Sequence, residues 1–283
     1  MQQHNRKILF DLPGPIGVFD SGYGGLTILR DLVTALPNHD FIYLGDNART
    51  PYGTRSYDVV LEYTLEAVTR LFEMGCHLII LACNTASAKA LRTIQQKHLP
   101  FIDPNRRVLG VIRPSVEIVG DITTSKHVGV FGTTGTIQSG SYPIEINKLH
   151  HELIVSGEAC PMWVPLVENG EADSDGADYF IKQHIDNLLQ NDPKVDTIIL
   201  GCTHYPLLMH KIKSFMHEGI QVISQGPVIA ESLKDYLKRH PEMDEKIRKT
   251  GNVEFFTTEN PEKFNELANL FYNEPIEAQH ITL

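Results

Sequence analysis

The stretches IILACNTASA (residues 79–88) and IILGCTHYPL (residues 198–207) align without a gap, with cysteine opposite cysteine. Each is an apolar run followed by a polar turn. A second pair, GVFDSGYGG at 17–25 and GVFGTTGTI at 129–137, aligns in the same way. The partners of the two pairs lie 119 and 112 residues apart, which is too long a period for a solenoid. We therefore predict two similar halves that face each other, each with one turn of each kind.

Outside these repeats, apolar runs rich in β-branched residues alternate with amphipathic stretches. Most runs are continuous, as expected for strands buried on both faces of a parallel sheet. The predicted strands are 16–19, 41–44, 78–82, 108–112, 128–131, 197–200 and 222–224. The predicted helices are 25–35, 56–74, 85–96, 139–149, 177–191, 206–216 and 228–239. This alternation indicates an α/β fold with mostly parallel sheets, in which ligands bind beyond the carboxyl ends of the strands.

The apolar pattern pauses at DPNRR (103–107), where we place the crossover between the halves. A further strand and helix signal in VISQGPVIAESLKDYL (222–237) predicts that the chain returns to the first half. The expected division is a first α/β domain of residues 1–106 plus 221–283 and a second of residues 107–220.

Composition narrows the function classes. The 283 residues include 42% hydrophobic residues, enough for a sizeable core, and carry 25 basic against 35 acidic side chains, a net charge of −10. This charge argues against non-specific binding to nucleic acid or to an anionic membrane. No apolar stretch approaches the roughly 20 residues of a membrane span, and the run 8–10 is too short for a signal peptide. We therefore expect a cytoplasmic protein without membrane or nucleic-acid partners.

Two of the four cysteines, Cys83 and Cys202, stand directly after a buried strand and are followed by polar residues. Cys76 and Cys160 lack such surroundings, and we expect them to be structural. Neither Cys83 nor Cys202 has the C-x2-C spacing of a metal site or a redox pair. A thiol has a pKa near 8.5, so two thiols on facing halves suit the removal and return of a proton on opposite faces of one carbon atom.

The chain resembles the glutamate racemase family in six motifs, which occur in the family's order and cover about residues 16–230. They are DSGYGG (20–25), GDNARTPYG (45–53), ACNTAS (82–87), GTTGTIQS (132–139), PLVENG (165–170) and GCTHYPLL (201–208). The resemblance implies two similar α/β domains related by a pseudo-two-fold axis, with the active site in the cleft between them. It also implies interconversion of L- and D-glutamate without pyridoxal phosphate or metal, which supplies D-glutamate for peptidoglycan synthesis.

By resemblance, Cys83 and Cys202 are the two catalytic bases, one for each enantiomer. Asp20 and His204 match the auxiliary acids beside them, and Glu168 matches a glutamate with a supporting acid/base role. From the residues alone, alternatives stay open. Asp20 could cap a helix, accept a proton or orient the substrate ammonium group, and Glu168 could be a solvated charge.

The resemblance also implies a set of substrate-binding residues, most of which follow strands and offer hydroxyl, amide or backbone N–H donors. Those assigned to the α-carboxylate and ammonium groups are Asn84, Thr85, Thr133, Thr136 and Thr203, and Asp20 and His204 are also expected to bind the substrate. Those assigned to the side-chain carboxylate are Ser21, Pro51, Tyr52 and Gly53.

Two alternative functions stay open, and the sequence differs from the family pattern in one segment. The chain could racemise aspartate or another acidic amino acid, or it could bind an amino acid without turning it over. The family often has an aspartate in the segment that reads VISQGPVIA (222–230) here, so any role of that aspartate is missing. The resemblance leaves a homodimer open, and it assigns nothing to the N-terminal fifteen residues.

Overall fold

The computed structural model describes residues 12–283, which form two parallel β-sheets flanked by helices. The apolar run 8–10, which we expect to be too short for a signal peptide, lies outside the described residues. The strands are β1 (Ile16–Asp20), β2 (Phe41–Gly45), β3 (Leu78–Leu81), β4 (Arg107–Gly110), β5 (His127–Gly132), β6 (Ile154–Ala159), β7 (Thr197–Gly201), β8 (Gln221–Ile223), β9 (Val253–Thr257) and β10 (Ala278–His280).

Helices occupy most of the connections between strands, as an α/β fold requires. The α-helices are α1 (Gly25–Ala35), α2 (Tyr57–Glu73), α3 (Asn84–Lys89), α4 (Leu91–Thr93), α5 (Leu99–Ile102), α6 (Ile112–Ile122), α7 (Thr134–Gln138), α8 (Ser141–Leu149), α9 (Trp163–Glu168), α10 (Asp175–Asn191), α11 (Met209–Phe215), α12 (Gln225–Arg239), α13 (Pro241–Asp244) and α14 (Pro261–Tyr272). Asn47–Arg49 and Tyr205–Leu208 form 3-10 turns, and Ile94–His98 forms a π-helical turn. None of the helices within 12–283 combines the length and apolar character of a membrane span.

The two sheets repeat one strand order. The larger runs β10-β9-β2-β1-β3-β4 and the smaller runs β6-β5-β7-β8, and every pairing is parallel. The inner order β2-β1-β3-β4 therefore matches β6-β5-β7-β8. The aligned sequence pairs fall on β1 with β5 and on β3 with β7. The predicted fold class, two similar α/β units with parallel sheets, is confirmed.

Two strands lie in a different sheet from the one that the expected domain boundaries imply. β4, at Arg107–Gly110, pairs with β3 in the larger sheet, although the boundary had assigned it to the second unit. β8, at Gln221–Ile223, pairs with β7 in the smaller sheet, although the boundary had assigned it to the first. The segment DPNRR at 103–107, where the apolar pattern pauses, leads into β4. The crossover between the units comes later and is made by α6. The division into domains stays a proposal, with boundaries a few residues further along the chain.

The helices that return from the second unit complete the larger core. α12 packs against α1, and Ile229 and Leu233 of α12 belong to the same buried cluster as Leu29 of α1. The same cluster includes Trp163 and Leu200 beside the smaller sheet. The apolar core is thus continuous across both units, which holds the carboxyl ends of β1, β3, β5 and β7 in a fixed relation to one another.

Candidate active site

A cavity of about 340 Å³ lies between the turns that follow β1, β3, β5 and β7. Its volume falls in the roughly 300–1,000 Å³ range of small-molecule sites. Most of the predicted site residues line it: Ser21, Pro51, Tyr52, Gly53, Cys83, Asn84, Thr85, Thr133, Glu168, Cys202, Thr203 and His204. Of the predicted set, the lining omits only Asp20 and Thr136. Both are buried directly behind residues that line the cavity.

Cys83 caps the helix that begins at the next residue. Its Sγ accepts a hydrogen bond from the backbone N–H of Ala86 at 3.4 Å and lies 3.5 Å from Ser21 Oγ. Burial, followed by the nearby charge of Asp20, raises the pKa of the Cys83 thiol to about 12. Cys83 is therefore a neutral thiol at pH 7 while no substrate is bound.

Cys202 lies in the corresponding turn after β7 and is paired with an imidazole. Its Sγ is 4.0 Å from Nδ1 of His204, and Nε2 of His204 lies 2.8 Å from Oε1 of Glu168. Burial on its own would lower the pKa of His204. The hydrogen bonds to Cys202 and Glu168 outweigh it and raise that pKa to about 10. The imidazole is therefore a cation at neutral pH, held between a sulfur atom and a carboxylate.

Asp20, the last residue of β1, has one oxygen engaged and one available. Oδ1 accepts a hydrogen bond from the backbone N–H of Gly22 at 2.9 Å. Oδ2 is buried and has no hydrogen-bond partner among residues 12–283. Burial raises the pKa of this carboxyl group, and the charge of His204 partly offsets the increase. Because a buried polar atom without a partner is costly, Oδ2 is suited to a proton or to a donor from a ligand.

Three threonine hydroxyls join the two halves beside Cys83. Thr85 Oγ1 lies 3.0 Å from Thr133 Oγ1 and 3.3 Å from Thr136 Oγ1, and the last two are 3.1 Å apart. Thr85 belongs to α3, Thr133 to the turn after β5 and Thr136 to α7. The hydroxyl of Thr133 also caps α7 through the N–H of Thr136. The cluster places several hydroxyl donors at one edge of the cavity.

The neighbouring loop 50–53 closes another side of the cavity. The carbonyl oxygen of Gly53 accepts a hydrogen bond from the backbone N–H of Gly135 at 2.8 Å, so this loop also contacts the second unit. The ring of Tyr52 lines the cavity, but its hydroxyl donates to a carboxylate oxygen of Asp46. The predicted role of Tyr52 is thus limited to its ring, because its polar atom is already engaged.

Asn84 lines the cavity with most of its side-chain amide engaged elsewhere. Its Nδ2 donates to Oε1 of Gln225 at 2.7 Å, and its Oδ1 accepts from the hydroxyl of Tyr142 at 2.8 Å. If Asn84 binds the substrate carboxylate or ammonium group as predicted, it does so only through the amide N–H and the oxygen lone pair that these two bonds leave free.

Gly24 allows a close approach between the two units. A Cβ atom at this position would lie 2.2 Å from Thr203 Oγ1 and 2.4 Å from His204 Nδ1. The hydroxyl of Thr27 anchors the same segment by donating to the carbonyl oxygen of Thr203 at 3.1 Å. The need for glycine at position 24 of DSGYGG is thus explained by contact with the Cys202 turn.

The sequence interpretation missed one wall of the cavity. It is formed mainly by the segment between β6 and α9, together with further threonines and an asparagine: Thr50, Thr54, Thr134, Cys160, Pro161, Val164, Pro165 and Asn169. Cys160, expected to be structural, is fully buried and lines this wall. The motif PLVENG overlaps the wall and was the only sequence signal for it. No three His, Cys, Asp or Glu side chains within the described residues gather in a way that could hold a metal ion.

Comparison with known proteins is consistent with this geometry. The family model described as Asp/Glu/hydantoin racemase matches residues 16–233. A glutamate racemase of Roseobacter denitrificans is 40% identical over 272 residues, covering 93% of this chain and 98% of the relative. A crystal structure of a glutamate racemase from Bacillus anthracis superposes with a TM-score of 0.86 at 34% identity, covering 95% of this chain and 98% of that one. The glutamate racemase of Francisella tularensis, solved in complex with D-glutamate, has a TM-score of 0.84 at 30% identity with the same coverage.

Proposed function

Because the chain belongs to the Asp/Glu/hydantoin racemase family and its relatives are glutamate racemases, we propose that Cys83 and Cys202 are the two bases with which it interconverts L- and D-glutamate. One observation carries the proposal. Each of the two thiols follows the corresponding strand of one sheet, and both line a single cavity. A carbon atom between them has a sulfur atom available on each of two opposite sides.

The reaction moves one proton in and one proton out. A thiolate on one side removes the α-proton, which forms its S–H bond and leaves the electron pair on the α-carbon. The thiol on the other side then delivers its proton to the opposite face, which forms the new C–H bond and leaves a thiolate. The two sulfur atoms exchange protonation states in each turnover, so the same pair serves both directions.

Asp20 supports the step at Cys83. The thiol has a pKa of about 12 in the empty site, so it must lose its proton before it can act as a base. Oδ2 of Asp20 lacks a partner in the described structure, and burial has already raised the pKa of this carboxyl group. Asp20 therefore accepts the proton from Cys83 when the substrate ammonium and carboxylate groups enter the cavity.

His204 and Glu168 support the step at Cys202. The imidazolium of His204 is held by Glu168 and stabilises the thiolate form of Cys202 by its charge. When a turnover needs Cys202 as the proton donor, the imidazolium gives its Nδ1 proton to the thiolate, which forms the S–H bond and leaves a neutral imidazole. The two thiols are thus served by different groups, a carboxyl on one side and an imidazole with its carboxylate on the other.

The hydroxyl cluster of Thr85, Thr133 and Thr136 binds the substrate carboxylate. An amino-acid α-proton is only weakly acidic, and thiols cannot overcome this by basicity alone. Donors fixed around the carboxylate stabilise the negative charge that develops at the α-carbon and its carboxylate, most strongly in a cavity shielded from water. These hydroxyls already lie within 3.0 to 3.3 Å of one another, so little reorganisation is needed.

In the cell, D-glutamate from this reaction supplies peptidoglycan synthesis. We also propose that the enzyme acts in the cytoplasm, where amino-acid precursors are made. For its assembly state, sedimentation of the whole chain distinguishes a monomer from the homodimer that the sequence resemblance leaves open.

Proton NMR in deuterated water tests the function directly. Purified, reduced protein is incubated without cofactor, separately with L- and with D-glutamate, and the α-proton signal and the enantiomer ratio are followed. We expect the α-proton to exchange and both reactions to approach an equal mixture. Exchange with aspartate but not with glutamate would show that the substrate is aspartate and not glutamate. Binding of glutamate without any exchange would overturn the catalytic proposal.

Cysteine variants test the assignment of the bases. Cys83→Ser and Cys202→Ser each replace a thiol by a far less acidic hydroxyl, and we expect a loss of kcat of about 10³-fold or more. Cys76→Ala is the control, because Cys76 is fully buried in the core and does not line the cavity. Wild-type kcat in either serine variant would rule out that cysteine as a base.

A further inference from the structure

Gln225, in the segment where the sequence departs from the family pattern, is buried at the start of α12 and is bonded on both sides of its amide. Oε1 accepts from Nδ2 of Asn84 at 2.7 Å. Nε2 lies 2.9 Å from the hydroxyl of Tyr142, 2.9 Å from Ser115 Oγ and 3.1 Å from the carbonyl oxygen of Val111. With 3% of its surface exposed, the side chain is held by protein groups of three other helices or helix starts.

Two of these bonds close a ring with a third. Asn84 donates to Gln225, Gln225 donates to Tyr142, and Tyr142 donates to Oδ1 of Asn84 at 2.8 Å. Every donor in the ring points in the same sense, so the bonds polarise one another and fix both amide orientations. All three residues are at most 3% exposed, and breaking one bond leaves a buried polar group without its partner.

The ring is attached to the Cys83 turn. Asn84 is the first residue of α3, and Cys83 caps the same helix through the N–H of Ala86. The ring holds the side chain of Asn84 in place, and the backbone of Asn84 is joined to Cys83 by a peptide bond. Gln225 therefore acts on the sulfur atom from outside the cavity, through one intervening residue.

We propose that Gln225 is a positioning residue for Cys83, which fixes the first turn of α3 through Asn84 and so sets the direction from which this sulfur atom meets the α-carbon. The inference rests on the proposed function. It also names a consequence that a general loss of structure would not produce. Only the proton transfer at Cys83 is slowed, while the transfer at Cys202 is unchanged.

Deuterium isotope effects separate these two transfers. Gln225→Met keeps the length of the side chain and removes both polar atoms. We expect kcat/KM to fall about tenfold in both directions, because the two directions are linked by an equilibrium constant near one. With α-deuterated substrate, the isotope effect should rise from the enantiomer that Cys83 deprotonates. It should fall from the other enantiomer, for which reprotonation by Cys83 becomes limiting.

Three companion variants keep the test decisive. Ser115→Ala removes a Gln225 contact that lies outside the ring, and we expect wild-type isotope effects. Tyr142→Phe opens the ring at its other side and should reproduce the pattern of Gln225→Met, which covers the case in which the latter does not fold. Thr27→Val loosens the carbonyl of Thr203 beside Cys202, and we expect the isotope effects to move in the opposite direction.

The outcomes distinguish this inference from the function on which it rests. Absence of α-proton exchange in the wild-type protein would refute the proposed function. Exchange in the wild type, together with unchanged isotope effects in Gln225→Met and Tyr142→Phe, would refute the positioning role and leave the function intact.

Discussion

Cys83 and Cys202 follow corresponding strands, yet the groups around their sulfur atoms differ in charge. Cys83 faces a buried carboxyl group, and burial together with this carboxyl raises its pKa to about 12. Cys202 faces the imidazole of His204, which Glu168 keeps protonated. In the mechanism we propose, a symmetric reaction is therefore carried out by an asymmetric pair, in which each thiol exchanges protons with a partner of its own.

The raised pKa of His204 gives a prediction for stability. The folded protein keeps the imidazole protonated up to about pH 10, whereas the unfolded chain loses that proton near pH 6.5. The stabilising contribution is complete below pH 6.5 and is lost as pH rises toward 10. In urea unfolding, the free-energy difference between wild type and His204→Asn should therefore be largest at pH 6 and shrink steadily to pH 10.

His77 provides the control of opposite sign. Burial lowers the pKa of its imidazole, whose Nε2 lies 2.9 Å from the carbonyl oxygen of Leu12. Its contribution is present above pH 6.5 and is lost as pH falls, so the difference between wild type and His77→Asn should shrink toward low pH. Parallel pH trends for the two variants would contradict our account of His204.

At the scale of helices and strands, the sequence predicted the elements whose apolar pattern is continuous. All seven predicted strands are present. Five of them, β1, β2, β3, β5 and β7, are buried along all or nearly all of their length, whereas β4 and β8 are partly exposed. β6, β9 and β10 were missed. β6 reads IVSGEA, is partly exposed along its length and lies at the edge of its sheet, so its residues lack the apolar run on which the prediction relied.

The turns that carry the proposed catalytic residues were predictable from the sequence for a similar reason, whereas the Gln225 ring was not. Cys83, Cys202 and Asp20 each follow a recognisable strand, and strand ends meet at one edge of a parallel sheet. Asn84, Tyr142 and Gln225 lie on three helices that are far apart in the chain, and no periodicity relates them. Only the packing of α12 into the core brings Gln225 to Asn84.

The contact between the turn before α1 and the Cys202 turn gives a prediction at this scale. In Gly24→Ala, the new methyl group would meet Thr203 and His204, and we expect kcat/KM to fall at least about tenfold with a loss of roughly 1–3 kcal/mol in stability. Both quantities can be measured by steady-state kinetics and thermal unfolding.

Gly176→Ala is the control for this substitution. Gly176 is exposed in α10, where the nearest atom to a new Cβ is 3.5 Å away. Alanine favours a helix over glycine by about 1 kcal/mol, so we expect equal or higher stability and unchanged activity. If Gly24→Ala behaved like Gly176→Ala, the close approach at the Cys202 turn would not constrain the site.

At the scale of the molecule, the repeated strand order explains why one cavity holds two thiols. Each unit places a cysteine just after one of two corresponding strands, Cys83 after β3 and Cys202 after β7. The two units are then joined close to the cavity, by the threonine hydroxyls and by the bond between Gly53 and Gly135. The cavity therefore exists only where both units contribute a turn.

Because one cavity contains both thiols, a ligand should shield them together. The four cysteines are free, and Cys83 and Cys202 are each 6% exposed, whereas Cys76 and Cys160 are fully buried. We expect a small maleimide to label Cys83 and Cys202 first, and saturating glutamate to slow both labelling rates by a similar factor. Peptide mass spectrometry over a time course measures each site separately. Protection of one cysteine alone would show that the substrate contacts only one unit, and a two-base mechanism across the cavity would then be untenable.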